Sequence, residues 1–296
     1  MRAFQTKSRP SRRAQCRTSR TARLRPVASL ANWCPLCSRE PMRATGRRPP
    51  TLALGFWLAS RGARVVAGWG LCALGAAVAC AVARVARPDQ AADVPVPAAM
   101  ALCWSAGVMV ALGGGLGALD RDRTEGITAL LRARGIPARS YVGGRAGGLS
   151  AAIALGAGGA TLACGVVATA VAQHRLQAIG ATFAALAYVL AFAATLGPIA
   201  MAALGAGRRG WGYLAFITVL VAPEASARWT RRLLPSGWQE LTSIPAALEA
   251  VQAGVLAPGV AGLPMIRALA ALVAVALASL ALARASLPRS APEADA

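Results

Sequence analysis

The chain has 296 residues, 56% of them hydrophobic and 15% charged, with a formal net charge of +21. Its charges are bunched between long apolar runs, a distribution that excludes an ordinary soluble globular domain. So basic a soluble chain would point to nucleic acid; here the placement of the arginines points instead to membrane topology, with no nucleic-acid partner.

Residues 1–50 are rich in Arg, Ser, Thr and Pro and contain no apolar run long enough for a signal-peptide core. They read as a disordered basic arm suited to anionic headgroups. Met42, just ahead of the first apolar segment, is a candidate start site. Cys34 and Cys37 form an isolated CxxC; with no second pair and His174 as the only histidine, no metal site is expected. In residues 51–64, Leu54, Phe56, Trp57 and Leu58 stand beside Arg61 and Arg64. That is the pattern of an interfacial helix leading into a first span.

Uncharged runs follow at 65–83, 98–119, 146–172, 178–207, 210–223 and 268–283. A helix crosses a bilayer in about 20 residues. Four runs qualify outright, and the last does so over 265–286 if Arg267 and Arg284 snorkel to the two interfaces. The fifth spans only about 21 Å, so it must extend over 208–225, thin the bilayer or be re-entrant. The expectation is an all-α polytopic membrane domain over 51–287 with six transmembrane helices, five being the alternative, and a polar tail over 288–296. With the amino terminus inside, 25 of the 32 Lys and Arg residues fall on the cytoplasmic side, which places both termini there.

Between the runs the local signals differ. The segment 84–97 has the prolines and aspartates of a short exposed loop. Gly113 with Gly117, and Gly144 with Gly148, offer small-xxx-small surfaces for close helix packing. Only AQHRLQ separates the third and fourth runs, which predicts a tight helical hairpin with a solvated His174. Gly197 and Pro198 should kink the fourth span, and Arg208 and Arg209 should anchor its inner end. Within 224–263, Ser243 near an N-cap, Pro245 in a first turn and Gly254 after the end mark a capped helix. Trp229 and Trp238 suggest that it lies at the membrane surface.

The longest charged interruption is residues 120–145, DRDRTEGITALLRARGIPARSYVGGR. Ile127, Leu130 and Leu131 share a helical face, while Arg123, Arg132 and Arg134 can point elsewhere. Asp122 and Glu125 fit an N-terminal capping box, and Gly135 with Pro137 supplies a stop. These signals predict a helix of roughly three turns, more than a connecting turn needs and so a candidate docking surface.

Chemistry-bearing motifs are scarce. Lys7 is the only lysine and no GxxxxGK[ST] surrounds it, so no P-loop, cofactor site or catalytic residue is expected. No Asp, Glu, Lys or Arg falls within the six runs, which argues against an ion-coupled carrier. Cys72, Cys80, Cys103 and Cys164 sit in apolar runs and read as small hydrophobes.

Glu125-Gly126-Ile127, Leu130-Leu131, Gly135-Ile136, Arg139, Tyr141 and Gly144-Arg145 together resemble the segment between the second and third spans of type-2 ABC transporter permeases, with departures at Ile127, Gly135-Ile136-Pro137 and Arg145. The motif covers about 25 residues. The wider architecture of interfacial helix, six spans and a helical insert before the last covers most of 51–287. The resemblance implies a non-enzymatic permease subunit of an exporter in the bacterial cytoplasmic membrane, partnered by a separate ATP-binding-cassette ATPase and by a second permease copy or related permease. It implies that Glu125 and Gly126 open a cytoplasmic coupling helix. It further implies that Glu125, Gly126, Ile127, Leu130, Leu131 and Arg134 form the ATPase interface. A polytopic assembly factor or scaffold is the alternative.

Overall fold

A computed structural model describes residues 51–134, 136–205, 209–233 and 243–286. The basic arm, with Cys34, Cys37 and Met42, lies outside the described residues, as do Gly135, Arg208, Trp238 and the tail. The described residues are helical without strands, and five helices are long and apolar enough to cross a membrane: Ala63–Val85, Ala91–Thr124, Arg139–Val171, Arg175–Leu204 and Ala261–Ala285.

Helix α1 (Thr51–Ser60) stops at Arg61-Gly62, where Gly62 is extended and turns the chain into α2 (Ala63–Val85). The short helix expected here is present, with Trp57 exposed beneath the Arg61 guanidinium, 3.3 Å from the ring centroid. Its other face packs on α7 (Ala138–Val171). Gly144 and Gly148 of α7 make that crossing possible: a methyl at Gly144 would lie 2.6 Å from the Thr51 carbonyl, and one at Gly148 would overlap the backbone of Gly55 and Phe56. Backbones that approach so closely gain van der Waals contact along their length, which drives helix association where lipid offers no hydrophobic gain.

The second candidate span is composite. A 3₁₀ turn (Ala91–Asp93) leads into α3 (Pro95–Leu102), a π-turn (Cys103–Gly107), α4 (Val108–Gly115) and α5 (Ala118–Thr124). The π-turn aims Trp104 at α8 (Arg175–Leu204), where its Nε1 donates to the Tyr188 hydroxyl at 2.8 Å and its ring meets Phe192 edge-on at 5.4 Å. Tyr188 and Phe192 join Leu149 and Ile153 of α7 and Met201 and Leu204 of α8 in the buried core.

Helices α7 and α8 form the predicted hairpin, turning at Ala172–His174 with His174 exposed. Gly197 sets their inner contact: a methyl there would overlap the Ser150 hydroxyl and lie 2.9 Å from the Ala146 carbonyl, and α8 continues through Pro198. α9 (Arg209–Leu233) has an apolar part of 16 residues, Gly210–Ala225, and is not among the five candidate spans.

α10 (Ile244–Leu256) begins at the predicted cap, with Ser243 Oγ accepting from the Ala246 N–H at 3.2 Å. One expectation for it changes. Gly254 lies inside the helix rather than after it, because a methyl there would lie 2.6 Å from the sulfur of Met265 in α11 (Pro258–Ala285). α10 packs against α8 and α11 and buries Leu248, Val251 and Gln252.

Candidate functional site

The segment between the second and third spans is built differently from the single helix expected. α5 carries the chain out of the second span through Asp122, Gly126 takes the left-handed conformation (φ 73°), and α6 (Ile127–Ala133) adds seven residues. A residue with a Cβ would be strained at Gly126. No capping box forms. Asp122 lies within α5, and Glu125 is the exposed C-cap whose N–H bonds to the Arg121 carbonyl at 2.8 Å. Ile127 is half-buried against the core, Leu130 is 61% exposed and Arg134 is exposed; the side chain of Leu131 lies outside what is described.

Asp122 has left the cap for a buried ion pair. Its Oδ1 accepts from Arg145 Nη2 at 3.1 Å, Arg145 Nε lies 2.8 Å from Oδ2, and the Tyr141 hydroxyl also donates to Oδ2. The Nε–H is out of line for a hydrogen bond, so that contact is purely Coulombic. Asp122 is 1% exposed, Arg145 5% and Tyr141 6%. Tyr141 and Arg145 are one helical turn apart on α7, so both reach the same carboxylate. The only cavity described beside the group, lined by Tyr141, Arg145, Ile136 and Leu54, holds about 10 Å³, too little for a ligand larger than water.

Arg145 therefore lies inside the third membrane-length helix. α7 starts two turns earlier, at Ala138, behind an extended Pro137 N-cap. The sequence did hold a signal for this group: a Tyr and an Arg at helical i, i+4 spacing, and Asp122 three residues beyond the preceding apolar run.

The same segment is stitched to α8 through backbone. Leu116 is extended and Gly117 left-handed (φ 64°), which turns the Gly117 N–H to the Leu204 carbonyl at 3.0 Å and the Leu119 N–H to that of Gly205 at 3.2 Å. These carbonyls at the end of α8 have no acceptor role within their helix, so the turn caps them. Gly117 thus makes a turn and not a packing surface, and a methyl there would meet nothing within 4 Å. Gly113 is a packing glycine, where a methyl would lie 2.7 Å from Arg64 Cβ.

Among the described residues no group of three or more His, Cys, Asp or Glu could hold a metal ion. Cys72, Cys103 and Cys164 are buried and unpaired.

Helices throughout the described residues, five of them of membrane length and composition, define a multi-pass all-α membrane protein. Comparison with protein-family models, curated proteins and solved structures finds no match to this chain.

Proposed function

We propose that this chain is the membrane-spanning subunit of an ATP-driven exporter, in which α5 and α6 receive force from a separate ATPase and pass it to the spans. The observation that carries this reading is the contrast within one short segment. α6 presents Leu130 to solvent, while α5, immediately before it, is fixed to α7 by a buried ion pair and to α8 by two backbone bonds. A docking surface on so firm a mount suits a lever, because a push on α6 has two spans to act on. The chain contributes no P-loop of its own. In this reading α9 completes a set of six spans, both termini are cytoplasmic in a bacterial inner membrane, and the transport path runs between two permease chains. The residues that meet the ATPase are Glu125, Gly126, Ile127, Leu130, Leu131 and Arg134.

The tagged full-length chain, isolated as its native complex, should carry a P-loop ATPase with measurable ATP hydrolysis. Burying a leucine is worth about 1.5–3 kcal/mol. Leu130→Asp with Leu131→Asp should therefore lower ATPase copurification at least about tenfold while membrane insertion persists. A native complex without an ATPase would favour a scaffold, and a double variant that keeps full ATPase copurification and hydrolysis would remove α6 from the interface.

A further inference from the structure

Resting on the reading of α5 and α6 as the ATPase contact, we infer that the partner presents an acidic surface there. Its carboxylates meet Arg134 and Arg139, and an apolar notch beside them takes Leu130.

The charge argument turns on where the acids stop. Residues 120–125 mix signs, with exposed Asp120 and Glu125 among exposed Arg121 and Arg123. From Gly126 to Pro223 the chain has no acidic residue at all. Within that stretch Arg134 and Arg139 are exposed, and neither is ion-paired among the described residues. Arg145, the next cation, is already neutralised by Asp122. Leu130 and Arg134 belong to one helical turn, the Arg134 N–H bonding to the Leu130 carbonyl at 3.2 Å, so their side chains share a face. A leucine 61% exposed beside uncompensated cations is complementary to an apolar notch edged by carboxylates, and such complementarity steers association and fixes register.

Lipid phosphate is the other anion at hand, and height argues against it. The far ends of α2 and α7 share a level, tied by the Gln173 N–H to the Pro88 carbonyl at 3.1 Å. From Val85 back to Arg64, α2 runs about 32 Å, close to a hydrocarbon core of roughly 30 Å, which puts Arg64 among the headgroups. From Val171 back to Arg139, α7 runs about 48 Å, about 16 Å further. A headgroup layer adds only about 5–8 Å on each side. Arg139 therefore stands beyond the headgroups, and Arg134 lies on the chain that enters α7 at that end.

The test uses the native complex of the tagged full-length chain, with retained ATPase measured as NaCl is raised from about 0.05 M to about 0.5 M, which shortens the screening length severalfold. Wild type should release ATPase as salt rises. Arg134→Glu with Arg139→Glu should lower retention at low salt at least about tenfold, since like charges would then face each other. Arg134→Gln with Arg139→Gln adds no repulsion and should flatten the salt response, so it decides the matter if the Glu pair fails to insert. Arg87→Glu, an exposed cation past the far end of α2, should change neither. ATPase held equally at both salt levels and by both arginine pairs would overturn the acidic surface while leaving the ATPase contact standing. A complex without an ATPase would remove that contact, and this surface with it. Arginine pairs that keep the ATPase but shed phosphatidylglycerol, read by native mass spectrometry, would give these cations to lipid and overturn the inference.

Discussion

Asp122 and Arg145 spend solvation energy that only their mutual contact and the Tyr141 hydroxyl return. Removing one partner of such a pair typically costs about 3–5 kcal/mol, while replacing both with apolar groups of similar size is often neutral or stabilising. Asp122→Ala should therefore lower the melting temperature of the detergent-solubilised protein sharply, and Asp122→Leu combined with Arg145→Met should recover most of it. Tyr141→Phe deletes one hydrogen bond to a charged group, worth about 1.5–3 kcal/mol, and should fall between them. If the double variant melts lower than Asp122→Ala, the pair supplies net stability. Recovery in the double variant would leave specificity as its role: a carboxylate that, among the described residues, accepts from Tyr141 and Arg145 alone sets the register of α5 against α7.

At the level of elements, glycine decides where helices meet, and its neighbours decide what each glycine does. Gly148 and Gly159 both lie in α7. A methyl at Gly148 would overlap α1, whereas one at Gly159 would meet nothing within 4 Å. Gly148→Ala should loosen α1 and destabilise the protein, while Gly159→Ala should be neutral or stabilising by up to about 1 kcal/mol through helix propensity; parallel thermal melts would show the contrast, and equal effects would refute the α1–α7 crossing. The four-residue spacing picked out Gly113, Gly117, Gly144 and Gly148 alike. Three of them make close backbone contacts, but Gly117 turns the chain, because spacing does not reveal that α4 ends at Gly115 and that Leu116 is extended. The cap at Ser243 was readable because it is local. The burial of α10 was not, since it depends on α8 and α11.

For the whole molecule, hydropathy located the membrane-length helices but not their ends. The run beginning at 146 excluded Arg145, yet α7 includes it, because a run of uncharged residues cannot register a counter-ion 23 residues away. Residues 120–145 were visible as a charged interruption between runs, but their two-helix build and the bonds to α7 and α8 were not, since they rest on contacts with distant residues. The outstanding question of scale is α9, whose apolar part reaches about 24 Å. If it crosses, as the proposed topology requires, cysteines at Glu125 and Ser286 in a chain otherwise freed of cysteine should resist an impermeant thiol reagent in intact cells, while one at Asp89 should react. All three positions are exposed. Labelling at Ser286 from outside would leave five crossings and opposite termini.

The backbone bonds from Gly117 and Leu119 also impose an order on biosynthesis. Their acceptors at Leu204 and Gly205 leave the ribosome 87 and 86 residues later, a delay on the order of ten seconds at translation rates of about 5–20 residues per second. Arg145 emerges only 23 residues after Asp122. The nascent segment can therefore lock onto α7 early, but it must wait with both N–H groups uncommitted until the fourth long helix is complete, so Leu204 and Gly205 are what tie down this turn.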